Sequence, residues 1–202
     1  MPLINNAIIF FQYFFVFLFM NYPIKSKLIM KIVLLGYMGS GKSTIGKKVA
    51  KKLGFDFIDL DVYIQNKYHT SINDIFNHRG EIYFRKIEAD CVIEICENNE
   101  NFVLALGGGT PCYGNTMDYL LSNHIMTIFL KVSINSLFER LLIEKNNRPL
   151  ISNIDDSDLK EFIAKHLFER SKFYDRANHI IDTDLLTIDQ FVQQLESWSK
   201  LK

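Results

Sequence analysis

Residues 36–43 read GYMGSGKS and match the pattern Gly-x4-Gly-Lys-Ser/Thr. Glycines at 36, 39 and 41 let the backbone curl until successive N–H groups aim at one centre. The helix that follows adds its positive end. A loop of this kind holds phosphate oxygens, with Gly39, Ser40, Gly41, Lys42, Ser43 and Thr44 as its contacts. Lys42 is a mobile cation for the β and γ phosphates, and the Ser43 hydroxyl suits Mg²⁺. The alternative is a chance glycine-rich turn. That reading does not explain why an apolar run precedes the loop and a helical pattern follows it. The motif specifies a nucleoside triphosphate and says little about the acceptor.

Several later residues have types suited to an acceptor. Asp59 and Asp61 stand two apart as DLD. One carboxylate can support a metal through water while the other accepts a proton from a hydroxyl. Read alone, the pair could be two solvated turn aspartates. Arg85 has the planar fork that grips a carboxylate with two parallel hydrogen bonds, and Glu88 at i+3 can orient it. Its bland counterpart is a surface ion pair. Phe76 and Phe84 nearby read as core before pocket lining. Gly107, Gly108 and Gly109 form a run through which a ligand can approach backbone, unless they are only a flexible turn. Arg148 precedes Pro149 in a polar stretch, and Arg170 is a second candidate carboxylate clamp.

These residues need a scaffold, and the hydrophobic pattern supplies one. Short apolar runs at 31–35, 56–60, 102–106, 126–130 and 179–182 read as five strands. Helical patterns fall at 42–53, where Gly54 suits the C-terminal cap, and at 81–98, 133–145, 159–176 and 188–199. Ser71 and Asp74 open a further short helix that Gly80 closes. Alternating strands and helices imply an α/β fold of three layers, with a parallel sheet covered on both faces. Ligands of such sheets sit beyond the carboxyl ends of the strands. The polar stretch 146–157 lacks periodicity and is expected to be a lid with little apolar surface to hold it.

Composition narrows the partners. The 202 residues carry a formal net charge of zero, so there is no basic field for nucleic acid. The three cysteines, Cys91, Cys96 and Cys112, form no CxxC pair, which excludes a disulfide framework and fits a reduced cytoplasmic protein. Cys91 and Cys96 read as small apolar residues of one helix. Residues 1–29 differ from the rest. Their apolar run, AIIFFQYFFVFLFMNY, is shorter than the ~20 residues of a membrane helix. It also lacks the basic start and cleavage site of a signal peptide. It is expected to be a dispensable extension, with Met30 as a working start. A membrane anchor and a targeting segment are the alternatives. Residues 30–202 then form one domain.

Together, GYMGSGKST, FIDLDVYI, DIFNHRGEIYFRKIE, LALGGGT, RPL and FERSKFY resemble shikimate kinase, a P-loop family of the nucleoside-monophosphate-kinase-like kind, from Met30 almost to the C-terminus. The order and spacing of the set carry the resemblance. It implies a five-stranded parallel sheet of order 2-3-1-4-5, ATP as co-substrate, Mg²⁺, and phosphorylation of the shikimate 3-hydroxyl on the route to chorismate and aromatic amino acids. It also implies roles for residues. Ser43 is the metal hydroxyl and Asp59 its outer-shell support. Asp61 holds the acceptor hydroxyls, Arg85 and Arg170 clamp its carboxylate, and Gly108 touches it. Arg148 reaches the ATP phosphates from the lid, and Arg140 lies near the adenine. Lys42, Asp61 and Arg148 are the catalytic set. A monomer binding only shikimate and ATP is expected, with no nucleic acid or membrane. Two features depart from the family pattern. The stretch from Arg148 to Arg170 is longer than in compact members, and Leu185 and Leu186 stand where an adenine-loop arginine is common. Two rivals remain: a related kinase acting on gluconate, and a nucleotide-binding module without catalysis.

Overall fold

A computed structural model describes residues 30–184 and 186–199. The extension 1–29 and Leu185 lie outside the described residues.

Five parallel strands form one sheet in the order β2-β3-β1-β4-β5, as expected. They are β1 (Lys31–Leu35), β2 (Asp56–Asp59), β3 (Phe102–Ala105), β4 (Met126–Lys131) and β5 (His179–Asp182). β1 lies at the centre, with Leu34 opposite Ala105 of β3 and Leu35 opposite Phe129 of β4. Its sequence explains its place. Ile32, Val33, Leu34 and Leu35 are all buried, and a strand covered on both faces needs a continuous apolar run. Alternate residues feed opposite layers. Val33 and Leu35 join the larger core with Leu60, Phe84 and Ile87. Ile32 and Leu34 join a second core with Val49, Val103 and Leu195 on the other face.

Seven helices cover the sheet among the described residues: α1 (Lys42–Leu53), α2 (Leu60–Tyr68), α3 (Ile72–Asn98), α4 (Thr116–Ser122), α5 (Ile134–Glu144), α6 (Asp156–Tyr174) and α7 (Ile188–Ser199). Ser71 caps α3 by accepting from the Asp74 N–H at 3.0 Å. The break expected at Gly80 is a kink inside α3, where that residue alone leaves helical geometry. Cys91 and Cys96 are buried on α3, as expected. Among the described residues no helix is long and apolar enough to cross a membrane.

Three expectations need correction. Helix α2 was not expected, because its apolar pattern is weak. It forms because Asp59 caps it, accepting from the Asp61 and Val62 N–H groups, and because Leu60 and Ile64 are buried. Helix α4 also went unrecognised, since two turns give too short a period to read. The stretch 146–157 is tethered more firmly than its polar composition suggested. Ile151 is fully buried and Ile154 packs against the larger core. Backbone N–H groups of Ile151 and Ser152 both donate to the Arg148 carbonyl at 3.0 Å. Two isoleucines at these positions anchor the loop, although its other side chains are polar.

Candidate active site

Parallel pairing places the carboxyl ends of all five strands on one edge, and the candidate residues gather there. Gly39 (φ 77°) and Gly41 (φ 87°) hold left-handed geometry in the loop after β1, which other residues adopt only at a cost. Lys42, the first residue of α1, folds back over this loop. Its ammonium donates to the carbonyls of Gly36 at 2.8 Å and Tyr37 at 3.0 Å. Ser43 comes next, and its hydroxyl donates to Asp59 Oδ2 at 2.6 Å. The metal-ligand candidates thus meet across the ends of β1 and β2, although 16 residues separate them in sequence. Asp59 uses its other oxygen to cap α2, so it is a structural group as well.

A cleft of about 560 Å³ opens over the loop. Residues 39–44, Asp59, Asp61, Gly107, Gly108, Arg140 and Arg148 line it. Arg140 on α5 donates to the Gly39 carbonyl at 3.2 Å and to Asp184 at 3.1 Å. It therefore ties the phosphate loop to the segment after β5. Arg148 reaches the rim in an extended backbone conformation, as the following proline requires. Its guanidinium is paired with Glu144, one turn back, at 2.9 Å through Nε. Leu186, the described member of the Leu185–Leu186 pair, packs against the second core.

Arg85, Gly109 and Arg170 do not line this cleft but adjoin it. Arg85 Nη1 donates to Glu88 at 2.9 Å, and Glu88 also accepts from the Thr110 hydroxyl at 2.6 Å. Glu81 accepts from the Arg85 Nε at 3.3 Å. The guanidinium carbon lies 4.2 Å from the Tyr113 ring centroid and 5.2 Å from that of Phe84. Arg85 is therefore gripped between carboxylates and rings, which sets it apart from a solvated surface pair. A Cβ at Gly109 would stand 2.9 Å from Arg85 Nη2, so a side chain there would push the guanidinium aside. A Cβ at Gly108 would stand 3.4 Å from the Met38 nitrogen in the phosphate loop and 3.6 Å from Arg170 Nη1. One at Gly107 would stand 3.4 Å from Asp61 Oδ1. The glycine run is thus the common wall between the phosphate loop, Asp61 and both arginines.

The charges sit in tension. Burial pushes the Lys42 ammonium down to about 8, Asp61 opposes the shift, and Arg148 adds to it. Lys42 is only half-buried by area, yet its charged end lies against the loop carbonyls, where water is scarce. Burial pushes the Asp61 carboxyl up to about 6, with the Asp59 and Glu88 carboxylates adding to the shift and Lys42 and Arg85 opposing it. Much of the Asp61 residue faces the open cleft. Water there moderates the shift without reversing it, because both neighbouring carboxylates act in the same direction.

Comparison with known proteins gives this constellation a family. A sequence model described as shikimate kinase matches residues 38–200. The chain belongs to the shikimate kinase family. It is 48% identical over 165 residues to the shikimate kinase of Flavobacterium johnsoniae, covering 82% of this chain and 96% of that one. The crystal structure of shikimate kinase from Bacteroides thetaiotaomicron superposes with a TM-score of 0.77 at 39% identity, over 85% of this chain and 98% of that one. Shikimate kinase from Acinetobacter baumannii, solved in complex with shikimate, superposes at 0.75 with 29% identity, over 88% and 99% of the two chains. The sheet order is accordingly that of a P-loop kinase of the nucleoside-monophosphate-kinase-like fold.

Within this family frame, some participants went unrecognised in the sequence. Glu88 was singled out as a partner for Arg85, but not its bond to Thr110. Tyr113, stacked on Arg85, and Tyr174, which donates to the Gly108 carbonyl at 2.5 Å, carried no signal. An aromatic in a loop or helix reads as core until the fold shows what it faces.

Proposed function

We propose that the chain transfers the γ-phosphoryl group of ATP to the 3-hydroxyl of shikimate, yielding shikimate 3-phosphate and ADP for the synthesis of chorismate and aromatic amino acids. One observation carries this reading. Gly108 is wedged between the phosphate loop and Arg170, so a donor site for phosphate and an acceptor site for a carboxylate share a wall. Shikimate has the carboxylate and the hydroxyls that such an acceptor site needs. Arg85 and Arg170 grip the carboxylate, the Gly107–Gly109 backbone approaches the ring, and Asp61 accepts the hydrogen of the attacking hydroxyl.

Chemistry follows from these placements. A carboxyl raised to about 6 is still largely ionised at neutral pH, and it is more basic than an ordinary aspartate. Asp61 can therefore orient the hydroxyl and take its proton as the bond to phosphorus forms. Lys42 counters charge on the transferred group. Arg148 exchanges Glu144 for the phosphates by a swing of its side chain. Both act where charge develops, which is where fixed cations lower the barrier most. Arg140 flanks the adenine.

Ser43 and Asp59 suit a hydrated Mg²⁺. Their 2.6 Å contact joins a hydroxyl to a carboxylate beside the phosphate loop. A hydroxyl and a carboxylate supply part of the shell of such an ion, and phosphate oxygens and water would supply the rest. When bound, the ion neutralises charge on the β and γ phosphates. The enzyme acts in the cytoplasm as a monomer, without nucleic acid or membrane as partner, and residues 1–29 are dispensable. The test is ADP release from ATP in the presence of Mg²⁺. Shikimate should stimulate it strongly. Equal stimulation by gluconate or a nucleoside monophosphate would overturn the assignment.

A further inference from the structure

Tyr37, the second residue of the phosphate loop, is 1% exposed. It does not line the cleft, and its ring meets α6. There its hydroxyl lies 2.9 Å from His166 Nδ1. The rings stand edge to face, with centroids 5.5 Å apart and planes at 86°. Phe162, one turn earlier on α6, backs the imidazole at 5.3 Å. Burial and the Arg170 charge hold His166 below its ordinary range, with Glu169 opposing. The phenol and the imidazole each can donate or accept, and the tautomer of His166 sets the direction of the bond between them.

Successive turns of the same helix carry the rest of the contact. Arg170, four residues on, places its guanidinium carbon 5.9 Å from the Tyr37 ring centroid. Tyr174, four further on and fully buried, donates to the Gly108 carbonyl. Residues at i, i+4 and i+8 share a helix face. One face of α6 thus touches the phosphate loop, the acceptor clamp and the glycine run in order. The side-chain hydrogen bond between Tyr37 and His166 fastens the loop to that face.

We propose that Tyr37 and His166 are positioning residues that couple the two substrate sites, the bond between them transmitting nucleotide binding in the phosphate loop to the setting of Arg170. The inference rests on Arg170 belonging to the acceptor clamp. Nucleotide fixes the loop, the loop fixes Tyr37, and His166 then holds α6 in the position from which Arg170 meets a carboxylate. Coupling of this kind is reciprocal, so shikimate strengthens nucleotide binding by the same factor.

The experiment measures the shikimate Kd with and without a non-hydrolysable ATP analogue, by calorimetry on the full chain. The ratio should exceed about fivefold in the unaltered protein. Tyr37→Phe and His166→Leu should each bring it to within about twofold of unity, and the double variant should go no lower. His166→Asn keeps a hydrogen-bonding group, able to donate or accept, near the Nδ1 position and should retain most of the ratio. A purely structural role would lower Tm in these variants and leave the ratio unchanged, which would overturn the proposal. So would an Asn variant that behaves like the Leu variant, because packing rather than the hydrogen bond would then carry the effect. A ratio of unity in the unaltered protein would overturn it directly. Arg170→Ala separates this inference from the reading beneath it. If that variant binds shikimate normally, the clamp assignment fails and the coupling fails with it. If it binds weakly while His166→Leu keeps the ratio, only the coupling is wrong.

Discussion

Replacing Arg85 by alanine should do two separable things. The first is structural. The Glu88 side chain is 3% exposed and its charged partner is Arg85, 2.9 Å away. Without Arg85 the carboxylate keeps, among the described residues, the Thr110 hydroxyl as its side-chain partner. Breaking a buried ion pair from one side typically costs about 3–5 kcal/mol. In a domain of this size each kcal/mol moves Tm by about 2–4 °C, so a fall of about 6–20 °C is expected. The second effect is on binding. Loss of one partner of a desolvated carboxylate pair costs about 2–5 kcal/mol, at least about 30-fold in the shikimate KM, with little change in the KM for ATP. The double variant Arg85→Ala, Glu88→Gln separates the two. It removes the orphaned charge and should recover most of the lost Tm, while the shikimate KM stays high. Thermal melts and initial-rate kinetics on the three proteins decide the matter. If Arg85→Ala melts normally, Glu88 does not depend on it. If the double variant restores the KM, Arg85 does not touch the substrate.

The pH profile of kcat/KM should be a bell. Its acid limb should lie near 6, where Asp61 gains its proton and can no longer accept one, and its alkaline limb near 8, where Lys42 loses its charge; a profile that stays flat well below the first value and well above the second would remove both groups from the chemistry. Arg148→Ala should lower kcat by about 100-fold or more while ATP affinity falls less; an intact kcat with only a weaker ATP Kd would make Arg148 a binding residue. Shortening the chain to begin at Met30 should leave Tm and turnover unchanged, and an insoluble or inactive product would show that residues 1–29 support the domain.

The donor half of the site was legible in the sequence because its chemistry is local. Eight consecutive residues build the phosphate loop, and the strand and helix that frame it are their immediate neighbours. The strands were legible too, since β1 and β3 are buried on both faces and tolerate only apolar side chains. Helix α2 was not, because a side-chain cap from Asp59 and two buried residues form it, and neither yields a strong period. The acceptor half depended on tertiary structure. Arg85, Gly108 and Asp61 were each open to a bland reading in sequence, and Arg170 stood there only as a candidate. What brings them together is that β1, β2 and β3 end on one edge, where a Cβ at Gly108 would lie within 3.6 Å of both Arg170 and the phosphate loop. The lid stretch shows the opposite error. Its polar residues were read correctly, but whether Ile151 and Ile154 hold it depends on a core that other segments build. Tyr37 and His166 lie 129 residues apart. Residue type told nothing of their bond, because a phenol and an imidazole become partners only when the fold buries both in one place.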